Sequence, residues 1–217
     1  MCRSYARDRA LIRLRTAVAR TAELTRGRMV TGLSHHGADE TVGTIGTDDA
    51  IGFDPFPLLR ALHHSGARIT VIGQVAGIMH GSEELTGDLD LLWDGDPAQA
   101  QTLADAFASV RAHLTDDNGA PLACDADAFR LPKVLFSTEN ASGDCCTPAL
   151  PWRDLPISDA LARSRHAVYE DGLGVRYLDR DDLIRMRRAA GRPKDHRRAD
   201  ELERLGNGGV VLPRSRH

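Results

Sequence analysis

Between Ile69 and Trp93 an apolar run meets a glycine, a stretch of small residues, and then two carboxylates one residue apart. The run ending at Ile72 predicts a strand that stops at Gly73, and a short helix over 75–80 follows. Asp88-Leu89-Asp90-Leu91 then begins a second apolar strand over 88–93. Residues two apart on a strand share a face. Asp88 and Asp90 therefore project together, and Leu89 and Leu91 turn the other way, into a core. Paired carboxylates repel each other, and a bound divalent cation relieves the repulsion. Magnesium takes one or two carboxylates together with phosphate oxygens. The pair thus points to Mg2+ or Mn2+ and to a substrate that carries phosphate.

The rest of the composition narrows the setting. A chain of 217 residues has room for one or two small domains, and 41% hydrophobic residues suit a packed core. No apolar run reaches the ~18–20 residues of a membrane-spanning helix, so no membrane partner is expected. The net charge of −3 gives no global attraction to nucleic acid. Of 28 basic residues only Lys133 and Lys194 are lysines, which lowers the weight of any single arginine and raises that of a lysine. The cysteines Cys2, Cys124, Cys145 and Cys146 form no C-x-x-C motif. That usage fits a reducing, cytoplasmic compartment.

Residues 1–28 are rich in arginine and poor in acids, with Leu11, Leu14 and Val18 at helical spacing. They read as an amphipathic or transit-like segment outside the catalytic core. Residues 29–52 show no period and read as a mobile linker, so 1–52 is expected to be a flexible N-terminal extension. Order is expected from Phe53, with Asp54 and Pro55 opening a helix that Gly66 ends. A helix over about 97–114 follows Asp96, and strands are expected at Lys133–Ser137 and Gly143–Thr147, antiparallel to each other. A short helix near 158–164 leads to a hairpin turning at Asp171-Gly172. Two helices end the ordered part, broken at Gly191-Arg192-Pro193. The chain thus divides into the extension, a domain over 53–205 and a disordered tail over 206–217. The expected class is α+β, a small mixed sheet flanked by helices, with C-terminal helices.

The strand–glycine–helix unit followed by Asp-x-Asp resembles the nucleotidyltransferase superfamily with the polymerase-beta-like fold. It is most similar to minimal bacterial AbiEii-like members, with Gly73, Ala76, His80, Gly81, Thr86, Asp88 and Asp90 in register. The stretch from Asp181 to Asp195, ending in Gly191-Arg192-Pro193-Lys194-Asp195, resembles the family's C-terminal element. Together the likeness covers about residues 53–205. It implies transfer of a nucleoside monophosphate from a nucleoside triphosphate to an acceptor hydroxyl on RNA or protein, and an antitoxin-like partner. The alternative within the same fold is a catalytically inactive nucleotide-binding or partner-binding protein.

The resemblance assigns roles residue by residue. Gly73, Gln74, Thr86 and Lys194 would meet the nucleotide. Asp88 and Asp90 would hold magnesium. Asp144 would be the third ligand or the general base, with Asp125 and Asp127 as rivals. Gln74 departs from the family's Gly or Ser and adds bulk where the triphosphate would lie. His80 reads as a packing or capping residue. His35-His36 and His63-His64 read as solvated, and Cys145 and Cys146 as strand packing. The run Arg185, Arg187, Arg188, Arg192, Lys194, Arg197, Arg198 reads as a triphosphate or RNA contact, or as a solvated helix face.

Overall fold

A computed structural model of the chain describes residues 9–34, 44–153 and 155–206. The architecture is mixed α+β: seven α-helices accompany one eight-stranded mixed sheet among the described residues. The helices are α1 (Arg9–Leu24), α2 (Phe56–Ser65), α3 (Gly73–His80), α4 (Pro97–Ser109), α5 (Ile157–Ala162), α6 (Arg180–Ala190) and α7 (Pro193–Gly206). The strands are β1 (Ile69–Val71), β2 (Leu91–Trp93), β3 (His113–Thr115), β4 (Pro121–Leu122), β5 (Lys133–Ser137), β6 (Ser142–Cys146), β7 (Arg165–Val168) and β8 (Gly174–Tyr177). Their order across the sheet is β4-β3-β5-β6-β2-β1-β8-β7.

The centre of the sheet is where apolar side chains are densest. β1 and β2 pair antiparallel, with Thr70 opposite Leu92, and Leu89, Leu91, Leu92 and Val71 are fully buried. On one side β2 pairs parallel with β6, and on the other β1 pairs parallel with β8. Regular pairing in the acidic strand starts at Leu91 rather than Asp88. The residues before it remain extended: Asp88 forms an isolated parallel bridge with Ser142, and the Ile72 amide donates to the Asp90 carbonyl at 2.9 Å.

Local chemistry sets most helix ends. The Asp54 carboxylate accepts from the Phe56 amide at 3.0 Å, and Asp96 and Asp179 accept likewise at the starts of α4 and α6. α4 stops five residues before the expected end. Arg111 turns the chain with φ of 55°, and His113–Thr115 joins the sheet instead. Val110 and Leu114 satisfy a helical period, but Leu114 buries equally well opposite Phe136 of β5. The β5–β6 pair is antiparallel as expected, with Leu135 opposite Asp144.

The N-terminal expectation needs correction. Residues 9–24 are a helix whose Leu11 and Leu14 are 0% exposed, packed against α3 within the single hydrophobic core. Arg15 lies over the rings of both Phe56 and Tyr169, at 4.7 and 4.5 Å. The stretch read as a linker is also tied down. The Asp48 amide donates to the Leu33 carbonyl at 2.9 Å, and the Asp48 carboxylate accepts from the Thr31 and Gly32 amides. Asp49 accepts from the Ser142 hydroxyl at 2.7 Å. A Cβ on Gly87 would come within 2.6 Å of the Ala50 backbone, so the 48–50 turn is seated against the approach to Asp88. Composition misleads here because polar residues can make internal hydrogen bonds as readily as solvent contacts. His35, His36 and the tail over 207–217 lie outside the described residues. No helix among the described residues is long and apolar enough to cross a membrane.

Candidate active site

Where β1 ends, Ile72 leads directly into Gly73, the first residue of α3. Gly73 has φ of 62°, in the left-handed region that favours glycine. The space beside it is taken: a Cβ at this position would sit 1.7 Å from Oδ2 of Asp90. The glycine is thus required twice, once by the turn and once by the carboxylate packed against its Cα.

The sheet register supplies the neighbouring acids. The offset between the strands is the same at Asp88↔Ser142 and at Leu91↔Cys145, so Asp90 stands level with Asp144 on the parallel strand β6. Asp88, Asp90 and Asp144 all line one pocket of about 250 Å³. Gly73, Gln74 and Lys194 line the same pocket, so six of the seven expected site residues meet there. Thr86, the seventh, is buried and donates its hydroxyl to the carboxylate of Asp88, itself 5% exposed.

The acids are close enough to disturb one another. Burial first, then the charges of Asp88 and Asp144, hold the Asp90 carboxyl well above the usual carboxylate range; Arg198 and Arg192 act in the opposite sense. Asp144 also has Lys133 at 4.0 Å, while Lys133 pairs more closely with Asp117 at 2.6 Å. Among the described residues no three His, Cys, Asp or Glu side chains are placed to hold one metal ion. Each acid has its own neighbour: Thr86 donates to Asp88, Asp90 packs against Gly73, and Lys133 stands beside Asp144. The Asp88/Asp90 pair still offers the hard oxygen donors that Mg2+ prefers, in the number it takes when phosphate oxygens complete its shell.

Gln74 does not behave as a phosphate-binding side chain. It is 2% exposed and every hydrogen bond of its amide goes to protein. Nε2 donates to the Ser82 hydroxyl at 3.0 Å and to the Glu84 carbonyl at 2.7 Å, and Oε1 accepts from Arg187 at 2.7 Å. The expected obstruction at the helix start is therefore absent, because the side chain is turned inward. Its contribution to a bound anion is limited to its backbone at the N-terminus of α3.

The basic run divides cleanly between pocket and surface. Arg187, Arg192, Lys194 and Arg198 line the pocket. Arg185 pairs with Asp182 at 3.1 Å, and Arg188 pairs with Asp200 and Glu203, away from it. Arg187 is buried and donates to the carbonyls of Gly73 (3.2 Å) and Arg198 (3.0 Å), tying α3 to α6 and α7. Burial and the nearby Arg198 push its pKa down to about 10, so it stays charged at neutral pH. Arg198 holds Glu84 at 2.5 Å and Arg192 holds Asp195 at 2.6 Å. Lys194, by contrast, has no ion pair or hydrogen bond to a side chain among the described residues.

Other expectations resolve quietly. His80 places Nε2 2.8 Å from the Leu178 carbonyl and its ring 5.0 Å from Tyr177, and burial lowers its pKa. It is a packing residue, as the sequence suggests. Burial and the charge of Asp144 push the Cys145 and Cys146 thiols far up, which keeps them from acting as nucleophiles. Asp125 caps the 128–130 turn and lies outside the pocket. The apolar wall formed by Leu150, Trp152 and Met186 was not foreseen. Its one sequence signal is a tryptophan in a proline-containing loop directly after the Asp144 strand. The chain matches no protein-family model and no curated protein.

Proposed function

We propose that this protein is a magnesium-dependent nucleotidyltransferase, moving a nucleoside monophosphate from a nucleoside triphosphate to an acceptor hydroxyl on RNA or protein. The observation that carries the reading is the packing of Asp90 against Gly73, with Asp88, Asp144 and Lys194 on the walls of the same pocket. A helix start, paired carboxylates and a cation without an acidic partner are what a magnesium triphosphate needs at one place. The nucleotidyltransferase resemblance of the sequence points the same way.

Each residue has a part in the chemistry. The amides opening α3 and the Lys194 ammonium hold the phosphates and orient the α-phosphorus. Asp88 and Asp90 would hold the magnesium of the triphosphate. When bound, that ion neutralises phosphate charge and stabilises the charge that develops as the pyrophosphate leaves. The acceptor oxygen forms the new bond to the α-phosphorus, and the bond from that phosphorus to the bridging oxygen breaks. Asp144 takes the hydroxyl proton. Arg187 keeps the glycine turn in place.

The test is direct. Incubation with each α-labelled nucleoside triphosphate, Mg2+ or Mn2+, and RNA or protein acceptors is expected to give label transfer. Asp88→Ala and Asp90→Ala are expected to lower transfer at least a hundredfold. A second reading, nucleotide binding without turnover, draws on the lack of a formed three-ligand centre. Retained triphosphate binding with no transfer to any acceptor would establish it instead.

A further inference from the structure

The pocket is lined by groups of two kinds, charged and apolar. Along β6, Asp144 and Cys146 both line it, being two residues apart and on one face. One strand step therefore carries the wall from a carboxylate to a buried thiol. Beyond Cys146 the chain continues to Leu150 and Trp152, which also line the pocket. Leu183, Met186 and Ala190, at i, i+3 and i+7 on one face of α6, line it as well. Besides its acids and cations, the pocket lining thus includes an aromatic and aliphatic set.

The tryptophan in that set is held. Its indole Nε1 donates to the Thr147 carbonyl at 2.8 Å, and that carbonyl also accepts from the Leu150 amide at 3.2 Å. Thr147 is buried and donates its own amide to Pro132 at 2.9 Å. The one polar atom of the ring is thus spent on the loop, and the rest is available as apolar surface. A half-buried ring with a satisfied N–H is a stacking surface that reads no hydrogen-bonding edge.

We infer that Trp152 is the seat of the nucleobase, sandwiched with the Met186 face of α6, and that the site takes nucleoside triphosphates with little regard to which base they carry. The inference rests on the nucleotidyltransferase reading and adds to it the part of the substrate that the acids do not touch. Stacking on an aromatic side chain contributes about 1–3 kcal/mol per base and is tolerant of base identity, since every base has a π face. No base-reading side chain is needed for it.

The experiment is equilibrium binding in Mg2+ by tryptophan fluorescence and calorimetry. Trp93 is 1% exposed, so a change in emission on binding reports Trp152. The probes are the α,β-methylene triphosphates of adenosine, guanosine, cytidine and uridine, which resist cleavage at the reacting bond, and inorganic tripolyphosphate. All four nucleotides are expected to bind within about threefold of one another and at least about tenfold tighter than tripolyphosphate, the lower part of the stacking range. Trp152→Leu is expected to bring the nucleotides down to the tripolyphosphate affinity, and Trp152→Phe to restore most of the difference. Nucleotides no tighter than tripolyphosphate in the unaltered protein would overturn the base seat while leaving the phosphate site standing. One base preferred more than tenfold would overturn the tolerance. Binding of none of the five probes would overturn the base seat and the nucleotidyltransferase reading together.

Discussion

Asp90 is the residue on which stability and chemistry conflict. It is desolvated, faces two other carboxylates, and touches a glycine that leaves no room to retreat. Its raised pKa means that the folded chain binds a proton there which the unfolded chain releases. The sign follows: the fold loses stability as pH climbs from the ordinary carboxylate range through the raised pKa. Asp90→Asn keeps the shape and removes the charge. It is expected to raise the melting midpoint at pH 8 by about 2–4 °C for each kcal/mol of repulsion relieved, with the gain shrinking toward pH 4, and to abolish transfer. Differential scanning calorimetry across that pH range checks it. An Asn variant less stable at every pH would show that Asp90 is held by attraction instead. Mg2+ is expected to stabilise the wild type and not the variant, by mass action on the folded state.

At the scale of elements, the contacts around α3 decide whether the glycine turn keeps its shape. α1 packs on α3, with Arg13 donating to the Met79 carbonyl near its C-terminal end, and Arg187 reaches it from α6. A Cβ at Gly77 would come 2.6 Å from Arg187 Nη2, so α3 is built to let the guanidinium pass. Gln74→Ala would leave buried partners on Ser82 and Arg187 without their hydrogen bonds. A loss of about 1–3 kcal/mol is expected, read as a lower urea midpoint. Tripolyphosphate binding should survive where the variant remains folded, because the side-chain amide is already bonded to Ser82, Glu84 and Arg187. Leu14→Ala tests α1. A fully buried leucine truncated to alanine loses about 2–5 kcal/mol. A flexible extension would lose nothing, so the urea midpoint separates a core element from an appendage.

For the molecule as a whole, what could be read in advance was whatever a local rule governs. Capping carboxylates at Asp54, Asp96 and Asp179, the β5–β6 pair and the hairpin at Asp171-Gly172 each follow from a few adjacent residues. The site was legible for a similar reason: Gly73, Asp88 and Asp90 fall within one short stretch, residues 73–90. Asp144 came from a single apolar strand followed by an acid, and the parallel register then set it beside Asp90. What escaped depends on distant partners. Leu114 chose the sheet because Phe136 was there to receive it. The polar stretch near Asp48 is fixed by carbonyls and amides that composition does not display. Gln74 looked obstructive because the motif does not show that its side chain turns inward to Ser82 and to Arg187, a residue far along the chain.

The pairing of Val71 with Tyr177 also bears on how the chain is made. β1 is an interior strand whose second neighbour, β8, is synthesised long after it. Until the ribosome has passed Tyr177, the edge of β1 that β8 will cover stands open, a ready template for another extended chain. The acids and the glycine are then already in place, but the helix that brings Arg187 onto the Gly73 carbonyl has yet to emerge. Non-local parallel pairing of this kind is slow to form. A chain arrested before β8 would carry the whole Asp-x-Asp motif on an unfinished sheet, exposed to self-association and short of its clamp. Completion of the pocket therefore waits on elements that lie more than eighty residues after the glycine turn.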